Sequence, residues 1–173
     1  MPGNGDEYDG NFKHDKYYGE GTLKRANGDI YTGEFVNDKF HGHGKLSLHS
    51  GDEYEGQFVN GLYNGNGTFK WAPDYRGKSG SYAGGWWKGL QHGSGVRHFE
   101  DGTRYRGDYQ EGRMHGEGIL QDCKGGSYIG EFERGAKHGS GVQTFAHGDR
   151  YEGQVRITIN IYLSLSLSLS FDD

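Results

Sequence analysis

The chain has 173 residues, of which 34 are glycine and 2 are proline, and its net charge is −5. Aromatic residues make up 14% of it, which excludes a disordered tail, and the scarcity of proline excludes a collagen. The acidic balance argues against a nucleic-acid partner, since such binding depends on basic side chains that contact phosphates. Cys123 is the only cysteine, so a disulfide framework and a cysteine zinc site are excluded as well.

A tyrosine recurs along the chain every 23 residues, with one interval lengthened to 28. If each tyrosine is counted as position 1, glycine occupies position 3 of all seven units and positions 12 and 14 of the six complete units. Together with positions 8 and 21, these registers hold 28 of the 34 glycines. The glycine content is therefore periodic and not low-complexity. The tyrosines are Tyr8, Tyr31, Tyr54, Tyr82, Tyr105, Tyr128 and Tyr151.

Each unit predicts a β-hairpin. Positions 1, 3 and 5 alternate as tyrosine, glycine and an aromatic residue, as in Tyr54, Gly56 and Phe58, and this period of two is typical of a strand with one covered face. Positions 14, 16 and 18 repeat the alternation, and the loop between the two runs is expected to end in a His-Gly pair such as His41-Gly42. The predicted fold is all-β, an elongated single-layer antiparallel meander of six hairpins with about twelve short strands.

The strand glycines predict a particular form of packing. Glycine inside a strand is unfavourable and usually marks the close approach of another group. Position 3 lies on the same face as the aromatic residues at positions 1 and 5, so the glycine leaves a slot in which a neighbouring ring can lie flat. We therefore expect Gly107→Val to unfold its own repeat and the neighbouring ones.

The pattern Tyr-x-Gly-x-Phe, followed by Gly and then His-Gly-x-Gly, resembles the MORN repeat (membrane occupation and recognition nexus). Departures are Asp15 and Asp38 at position 8, Tyr18 and Asn64 at position 11, and five extra residues in the third unit. The resemblance implies a rod of stacked hairpins that binds proteins or membranes and has no chemistry of its own. It covers residues 8–154, divided into units 8–30, 31–53, 54–81, 82–104, 105–127 and 128–150 and a partial unit 151–154.

Candidate catalytic and metal sites are not supported by the spacing. Equivalent residues of successive hairpins lie two strands apart, roughly 9.5 Å, whereas zinc ligands lie about 2 Å from one ion. This separation argues against a shared metal for the position-11 histidines, His41, His92, His115 and His138. It also separates the carboxylates Glu34, Glu55 and Glu131. We expect no enzyme activity, no metal and no cofactor.

The inserted segment 72–79 fits a loose form of the phosphate-binding P-loop. A working P-loop needs a following helix whose N-terminal amides hold the phosphates. The next residues instead begin another hairpin at Tyr82. A lengthened hairpin loop with exposed Arg76 and Lys78 is the favoured interpretation.

An aromatic strip on the order of 60 Å long is the candidate partner-binding face. The strip comprises Tyr31, Phe35, Tyr54, Phe58, Tyr82, Trp86, Tyr105, Tyr109, Tyr128 and Phe132. In one interpretation the rings only shield their own backbone. In the other, a partner helix, an extended peptide or a second copy docks on them, since tyrosine and tryptophan are strong interface anchors. Lipid binding is weaker as a hypothesis, because clusters of basic residues are missing.

Residues 155–173 break the register and form a non-repeat tail in which residues 157–171 alternate, with Ser-Leu repeats over residues 163–170. The tail is interpreted either as a capping strand or, preferably, as a gene-model artefact in which intron sequence is translated. At the other end, residues 5–7 resemble the end of a preceding unit, and no secretory signal precedes them.

The sequence thus favours a non-catalytic scaffold in the cytoplasm that binds a partner protein or a second copy, with weak lipid binding and no nucleic acid. Association with the cytoskeleton, a cilium or a membrane fits the same interpretation. The alternative is a regulatory array that targets membranes or phosphoinositides and is separated from a phosphatidylinositol phosphate kinase-like protein.

Overall fold

The computed structural model describes residues 5–155, which form one antiparallel sheet with thirteen strands in chain order. The predicted all-β meander is confirmed, and the thirteenth strand comes from the partial seventh unit. That strand includes Val155, the first residue of the predicted tail; the rest of the tail lies outside the described residues. The strands are β1 Glu7–Lys13, β2 Lys16–Lys24, β3 Ile30–Val36, β4 Lys39–Ser47, β5 Glu53–Val59, β6 Leu62–Lys70, β7 Ser81–Trp87, β8 Leu90–His98, β9 Arg104–Gln110, β10 Arg113–Gln121, β11 Ser127–Glu133, β12 Ala136–Thr144 and β13 Arg150–Val155.

Each complete hairpin closes through two residues with left-handed backbone angles, such as Asn37 (φ 50°) and Asp38 (φ 67°). Positive φ at both central residues is typical of the type I′ turn, whose twist matches that of the flanking strands. Asp15 replaces the glycine of later units and has the same conformation, which aspartate adopts more readily than most residues. The predicted loop ending in His-Gly is wrong, because the turn comes earlier and His41 and Gly42 lie inside β4.

A bulge interrupts the ladder of each complete hairpin. Between β3 and β4 the pairing skips Gly42 and His43, which leaves the amide of His43 without a strand partner on that side. The Glu34 carboxylate accepts a hydrogen bond from this amide at 2.8 Å. Gln57 and Glu131 accept the equivalent bonds in two other hairpins. Some side chains of the polar face therefore stabilise the backbone at the bulge.

The position-1 tyrosine of each hairpin lies over the glycines at positions 3 and 14. A Cβ atom added at Gly44 would lie 2.6 Å from Cε2 and Cζ of Tyr31, so the ring occupies the space of the missing side chain. This confirms the predicted slot and identifies the ring as the tyrosine of the same hairpin. The Tyr31 hydroxyl donates to the carbonyl of Glu34 at 2.9 Å, and all seven position-1 tyrosines make this bond to position 4.

The position-5 rings join neighbouring hairpins. Phe58 meets Tyr54 of its own hairpin edge to face at 5.0 Å and Tyr31 of the preceding one at 5.1 Å between ring centroids. Edge-to-face contacts of this kind are favourable beyond the area that they bury. The core is therefore a single layer of rings on one face of the sheet, called the ring face below. Among residues 5–155, no helix is long and apolar enough to cross a membrane.

Candidate functional surfaces

The predicted aromatic strip forms the core of the sheet. Its ten side chains have exposed fractions of 7% or less, because each tyrosine lies in its slot and each position-5 ring is held between two tyrosines. The structure supports the interpretation in which the rings shield their own backbone. Contact of these residues with a partner stays a prediction, since a partner would first meet the residues that cover them. They are Tyr31, Phe35, Tyr54, Phe58, Tyr82, Trp86, Tyr105, Tyr109, Tyr128 and Phe132.

The covering residues include position 10, which sequence reasoning missed. Phe40 stacks on Tyr31 with 3.7 Å between centroids and 9° between ring planes, and Tyr17 and Tyr63 stack similarly in the first and third hairpins. The last three hairpins have Gln91, Met114 and Lys137 at this position. Alignment of the units shows that position 10 is aromatic in the first three. Only the observed position of the turn shows that position 10 lies opposite position 5, as Phe40 does opposite Phe35.

A cationic cluster interrupts the ring face at its centre, and we call Trp71, Arg97, Phe99 and Tyr109 the Arg97 cluster. The guanidinium carbon of Arg97 lies 4.6 Å from the centroid of Trp71 and 4.5 Å from that of Phe99. The Nε atom of Arg97 and the hydroxyl of Tyr109 are both buried without a hydrogen-bond partner. Within residues 5–155, no Asp or Glu forms an ion pair with Arg97.

Burial keeps the Tyr109 hydroxyl protonated. Desolvation raises the pKa of Tyr109 to about 12, and the positive charge of Arg97 opposes this rise. A protonated phenol can donate a hydrogen bond as well as accept one. The Arg97 cluster therefore offers two buried donors, one of them cationic.

A second surface consists of four exposed apolar side chains beside the turns of the third and fourth hairpins, which we call the turn-edge patch. Val59 lies opposite Leu62, and Trp87 lies opposite Leu90. Their exposed fractions are 41%, 48%, 53% and 50% in the same order. Each of the four is next in sequence to a ring-face residue of its strand. Because successive side chains of a strand point to opposite faces, the four point away from the ring face. The Gly89 amide donates to the Tyr63 carbonyl at 2.9 Å, which holds the two turns side by side.

The turn-edge patch lies among exposed basic residues. Lys39 precedes it along the sheet, Arg113 follows it, and the ammonium of Lys88 lies 5.4 Å from the centroid of the Trp87 ring. The acidic Asp38 and Glu111 lie in the same flanking turns, so the three cations exceed the carboxylates at this edge by one, in a chain with a net charge of −5. Such a combination complements a partner that presents apolar and acidic side chains.

The inserted segment 72–79, which fits a loose P-loop pattern, is held together by Asp74. The Asp74 carboxylate accepts hydrogen bonds from the amides of Arg76 and Lys78 at 2.8 and 3.0 Å, which folds the insertion into a compact turn. The strand β7 begins at Ser81, so among the described residues a strand and not a helix follows this loop. In the part of the chain that the structure describes, no group of three or more His, Cys, Asp or Glu residues could hold a metal ion.

Comparisons with known proteins agree with the repeat pattern. The family model described as MORN repeat matches residues 8–30, 31–53, 54–73, 82–104, 105–127 and 128–150. No curated protein matches the chain significantly. One similar solved structure is the TCP domain of SAS-4 from Drosophila melanogaster in complex with a proline-rich motif of Ana2, at 11% identity, with 88% of this chain and 91% of that chain covered and a TM-score of 0.31. A similarity this weak carries no argument about the partner of the present chain.

Proposed function

This chain belongs to the MORN-repeat family, and we propose that it is a non-catalytic scaffold that binds a segment of a partner protein at its turn-edge patch. The observation that carries the proposal is the exposure of Val59, Leu62, Trp87 and Leu90 as one group. Contiguous exposed apolar side chains in a soluble protein commonly mark an interaction site. Tryptophan is also among the residues that contribute most to binding at such sites.

The charges around the patch indicate the chemistry of the partner. Lys88 lies over Trp87, and Lys39 and Arg113 in the flanking hairpins outweigh Asp38 and Glu111 only when Lys88 is counted with them; complementary charge favours both the rate and the specificity of association. We propose a partner segment with two or more apolar side chains followed or preceded by carboxylates. A second copy of this chain is less well matched, because its own turn-edge patch would bring the same basic residues together.

The ring face is the other candidate surface for a partner, since it contains the aromatic strip that the sequence predicts as the binding face. Its ten strip residues are buried, so a partner there would contact position 10 and its neighbours. Phe40 is itself buried and Tyr63 is half-buried, and each covers a tyrosine. The more accessible apolar area lies at the turn edge, which is why the proposal places the main contact there.

Site-specific photocrosslinking tests the proposal. A benzophenone amino acid is introduced at Leu90 in the full chain, and matched variants carry it at Ile129, which is equally exposed at 52%, and at Phe69 on the ring face. We expect one discrete adduct with an identified protein from Leu90 and none from Ile129. An adduct from Phe69 alone would move the contact to the ring face, and adducts of the chain with itself would favour self-association.

The purified partner then provides a quantitative test. Trp87→Ala should weaken its binding at least about tenfold and leave thermal unfolding unchanged, because Trp87 is half exposed. Ile129→Ala is the matched control and should change neither the affinity for the partner nor the thermal unfolding.

The membrane hypothesis is tested by sedimentation with phosphatidylcholine vesicles that contain phosphatidylinositol bisphosphate. Salt-sensitive binding to these vesicles, without any protein adduct, would overturn the proposal. The cytoplasmic location and any cytoskeletal or ciliary association stay predictions.

A further inference from the structure

Two residues on neighbouring strands depart from the apolar pattern of the ring face at the same place. Arg97 is the only charged residue at position 16 of the complete units, where the others are Leu23, Leu46, Phe69, Leu120 and Gln143. Tyr109 is the only position-5 residue with a hydroxyl, where the others are Phe12, Phe35, Phe58, Trp86 and Phe132. Arg97 lies in β8 and Tyr109 in β9, which are paired strands. The register places Arg97 opposite Tyr105, four residues from Tyr109. The equivalent position-16 and position-5 side chains one hairpin earlier, Phe69 and Trp86, nevertheless meet with 6.2 Å between ring centroids, so the long Arg97 side chain and the Tyr109 ring lie near each other on the ring face.

Neither group completes its hydrogen bonds within the described chain. Arg97 Nε and the Tyr109 hydroxyl are buried without partners, and Tyr109 is only 4% exposed. Buried polar groups are nearly always paired in native proteins, because an unpaired one loses its bonds to water without replacement. Each of these groups would be more stable with an external acceptor. Trp71, Arg97 and Phe99 are themselves only partly buried, so such an acceptor would enter at this point by displacing part of the ring cover. The apolar residues at both positions in other units show that the fold itself requires neither group.

The two aromatic rings hold the guanidinium in place. Trp71 and Phe99 both contact it, and stacking of this kind limits the rotation of the arginine side chain. A guanidinium that is held in one plane loses less conformational freedom when it forms bonds to a planar carboxylate. The surrounding aromatic surface also excludes water, which strengthens the electrostatic attraction to an anion.

We infer that the Arg97 cluster binds a single carboxylate, which accepts hydrogen bonds from Arg97 and Tyr109. The site carries one positive charge and one neutral donor, so it matches a monoanion. A phosphate monoester carries about 1.5 to 2 negative charges at neutral pH and would leave charge unbalanced. The inference rests on the proposed scaffold function for the source of the ligand, which is an acidic side chain of a partner flanked by apolar residues.

The test uses small probes, so it is independent of whether the partner is known. The full chain, labelled with nitrogen-15, is titrated with acetyl-leucyl-glutamyl-leucinamide and separately with the neutral glutamine analogue, while the Nε–H resonance of Arg97 is followed by NMR. We expect a saturable shift of this resonance with the acidic peptide in the millimolar range, and binding of the glutamine analogue weaker by at least about tenfold. Equal effects of the two peptides would overturn the inference.

Three variants locate the binding. Arg97→Leu introduces the residue found at position 16 in three other units, and Tyr109→Phe introduces the residue found at position 5 in four others, so both should fold. We expect Arg97→Leu to abolish binding of the acidic peptide, followed through the amide resonances of β8 and β9, and Tyr109→Phe to weaken it several-fold. Arg106→Gln is the matched control, since Arg106 lies in β9 on the opposite face of the sheet. This variant should bind the acidic peptide as tightly as the wild type does. Equal loss of binding in Arg106→Gln would also contradict the site.

Two further probes separate the sources of the anion. Tighter binding of 3-phenylpropionate than of the peptide would assign the site to a free small carboxylate, and tighter binding of inorganic phosphate would overturn the preference for a monoanion. The outcome is distinguishable from that of the scaffold proposal. Carboxylate binding at Arg97 without any adduct at Leu90 refutes the proposed partner contact alone, and the reverse result refutes the carboxylate site alone.

Discussion

The first three and the last three hairpins share one backbone design but cover their tyrosines differently. In the first three, an aromatic ring at position 10 lies flat on the position-1 tyrosine, as Phe40 does on Tyr31 at 3.7 Å between centroids. In the last three, Gln91, Met114 and Lys137 occupy this position. The Lys137 ammonium lies 4.9 Å from the centroid of the Tyr128 ring, so a cation takes the place of the stacked ring.

The tyrosines are nevertheless buried in both halves. Tyr31 has an exposed fraction of 0% and Tyr128 of 1%, although only Tyr31 has a ring stacked on it. The glycine slot and the edge-to-face contact with position 5 occur in both halves. Inside the sheet these two features bury the tyrosine whether position 10 is aromatic or not, whereas Tyr8 in the first hairpin has both features and a stacked Tyr17 but is only half-buried, because no complete hairpin precedes it. The stacked ring adds stability, about 0.5 to 1.5 kcal/mol for an aromatic pair, without being needed for the fold.

The largest effect is expected from filling the glycine slot at position 14 in each half of the sheet. Gly44→Val places a branched side chain where Cε2 and Cζ of Tyr31 lie, and Phe40 above prevents the ring from moving away. We expect a loss of about 4 kcal/mol in the free energy of unfolding. Gly118→Val meets Tyr105 in the same way, but the flexible Met114 allows some adjustment, so we expect about 3 kcal/mol. Denaturant unfolding followed by circular dichroism measures both.

The control for these variants is Thr68→Val at position 15, on the opposite face of the sheet. Valine occupies this position in the fourth and sixth units, as Val96 and Val142, so we expect a change within about 0.5 kcal/mol. The Gly107→Val prediction made from the sequence belongs to the same class, because its Cβ would meet Tyr105 and the backbone of β10. Unchanged melting of Gly44→Val and Gly107→Val would contradict the slot as the basis of the fold.

High pH should affect both halves, since both depend on buried tyrosines. Burial raises the pKa of Tyr31, and the nearby Glu34 carboxylate adds to the rise; burial raises the pKa of Tyr105 likewise. The folded state then keeps protons that the unfolded state loses above its ordinary pKa of about 10. The stabilisation is complete below that pH and is lost as pH rises through the folded pKa.

Alkaline titration provides the measurement for this second prediction. We expect tyrosinate absorbance from the buried tyrosines to rise in one step together with loss of the β-sheet circular dichroism signal. Tyr105→Phe removes the donor to the Asp108 carbonyl, a bond of 3.0 Å, so this variant should be less stable at neutral pH and depend less on pH. Titration of all tyrosines without loss of structure would show that the rings are accessible.

The repeat and its slots could be predicted because they depend on residues close in sequence. The alternation of Tyr54, Gly56 and Phe58 indicates a strand, which the structure contains as β5. A ring two residues from a glycine on the same face can reach that glycine whatever the rest of the sheet is. The contact can therefore be predicted from the local sequence alone. The sequence predicts a loop at the His-Gly pair because glycine commonly marks one, whereas Gly42 lies at a bulge inside β4.

The remaining features depend on which residues lie opposite each other. Position 10 covers the tyrosine only because the turn at Asn37 and Asp38 is two residues long and places Phe40 opposite Phe35. The burial of the aromatic strip follows from contacts between hairpins, such as that of Phe58 with Tyr31, which alternation within one strand does not encode. The Arg97 cluster similarly requires the pairing of β8 with β9.

The smallest expected effect sharpens the comparison by adding a ring to the last half. Burial lowers the pKa of the Lys137 ammonium, which means that the folded state disfavours its charge. Lys137→Tyr removes this charge and introduces the residue found at position 10 in the first and third hairpins, where it stacks on the tyrosine at 3.8 and 3.9 Å. We expect a gain of about 1 kcal/mol in the free energy of unfolding at neutral pH. The gain should shrink as pH rises through the lowered pKa of Lys137, because the wild-type lysine then loses its charge in the folded state.

The control is Lys124→Tyr, in an exposed turn, which should change the free energy of unfolding little. If Lys137→Tyr instead destabilises the protein, the bond from Lys137 to Gln143 contributes more than ring stacking, and the two halves are stabilised by different interactions of similar strength.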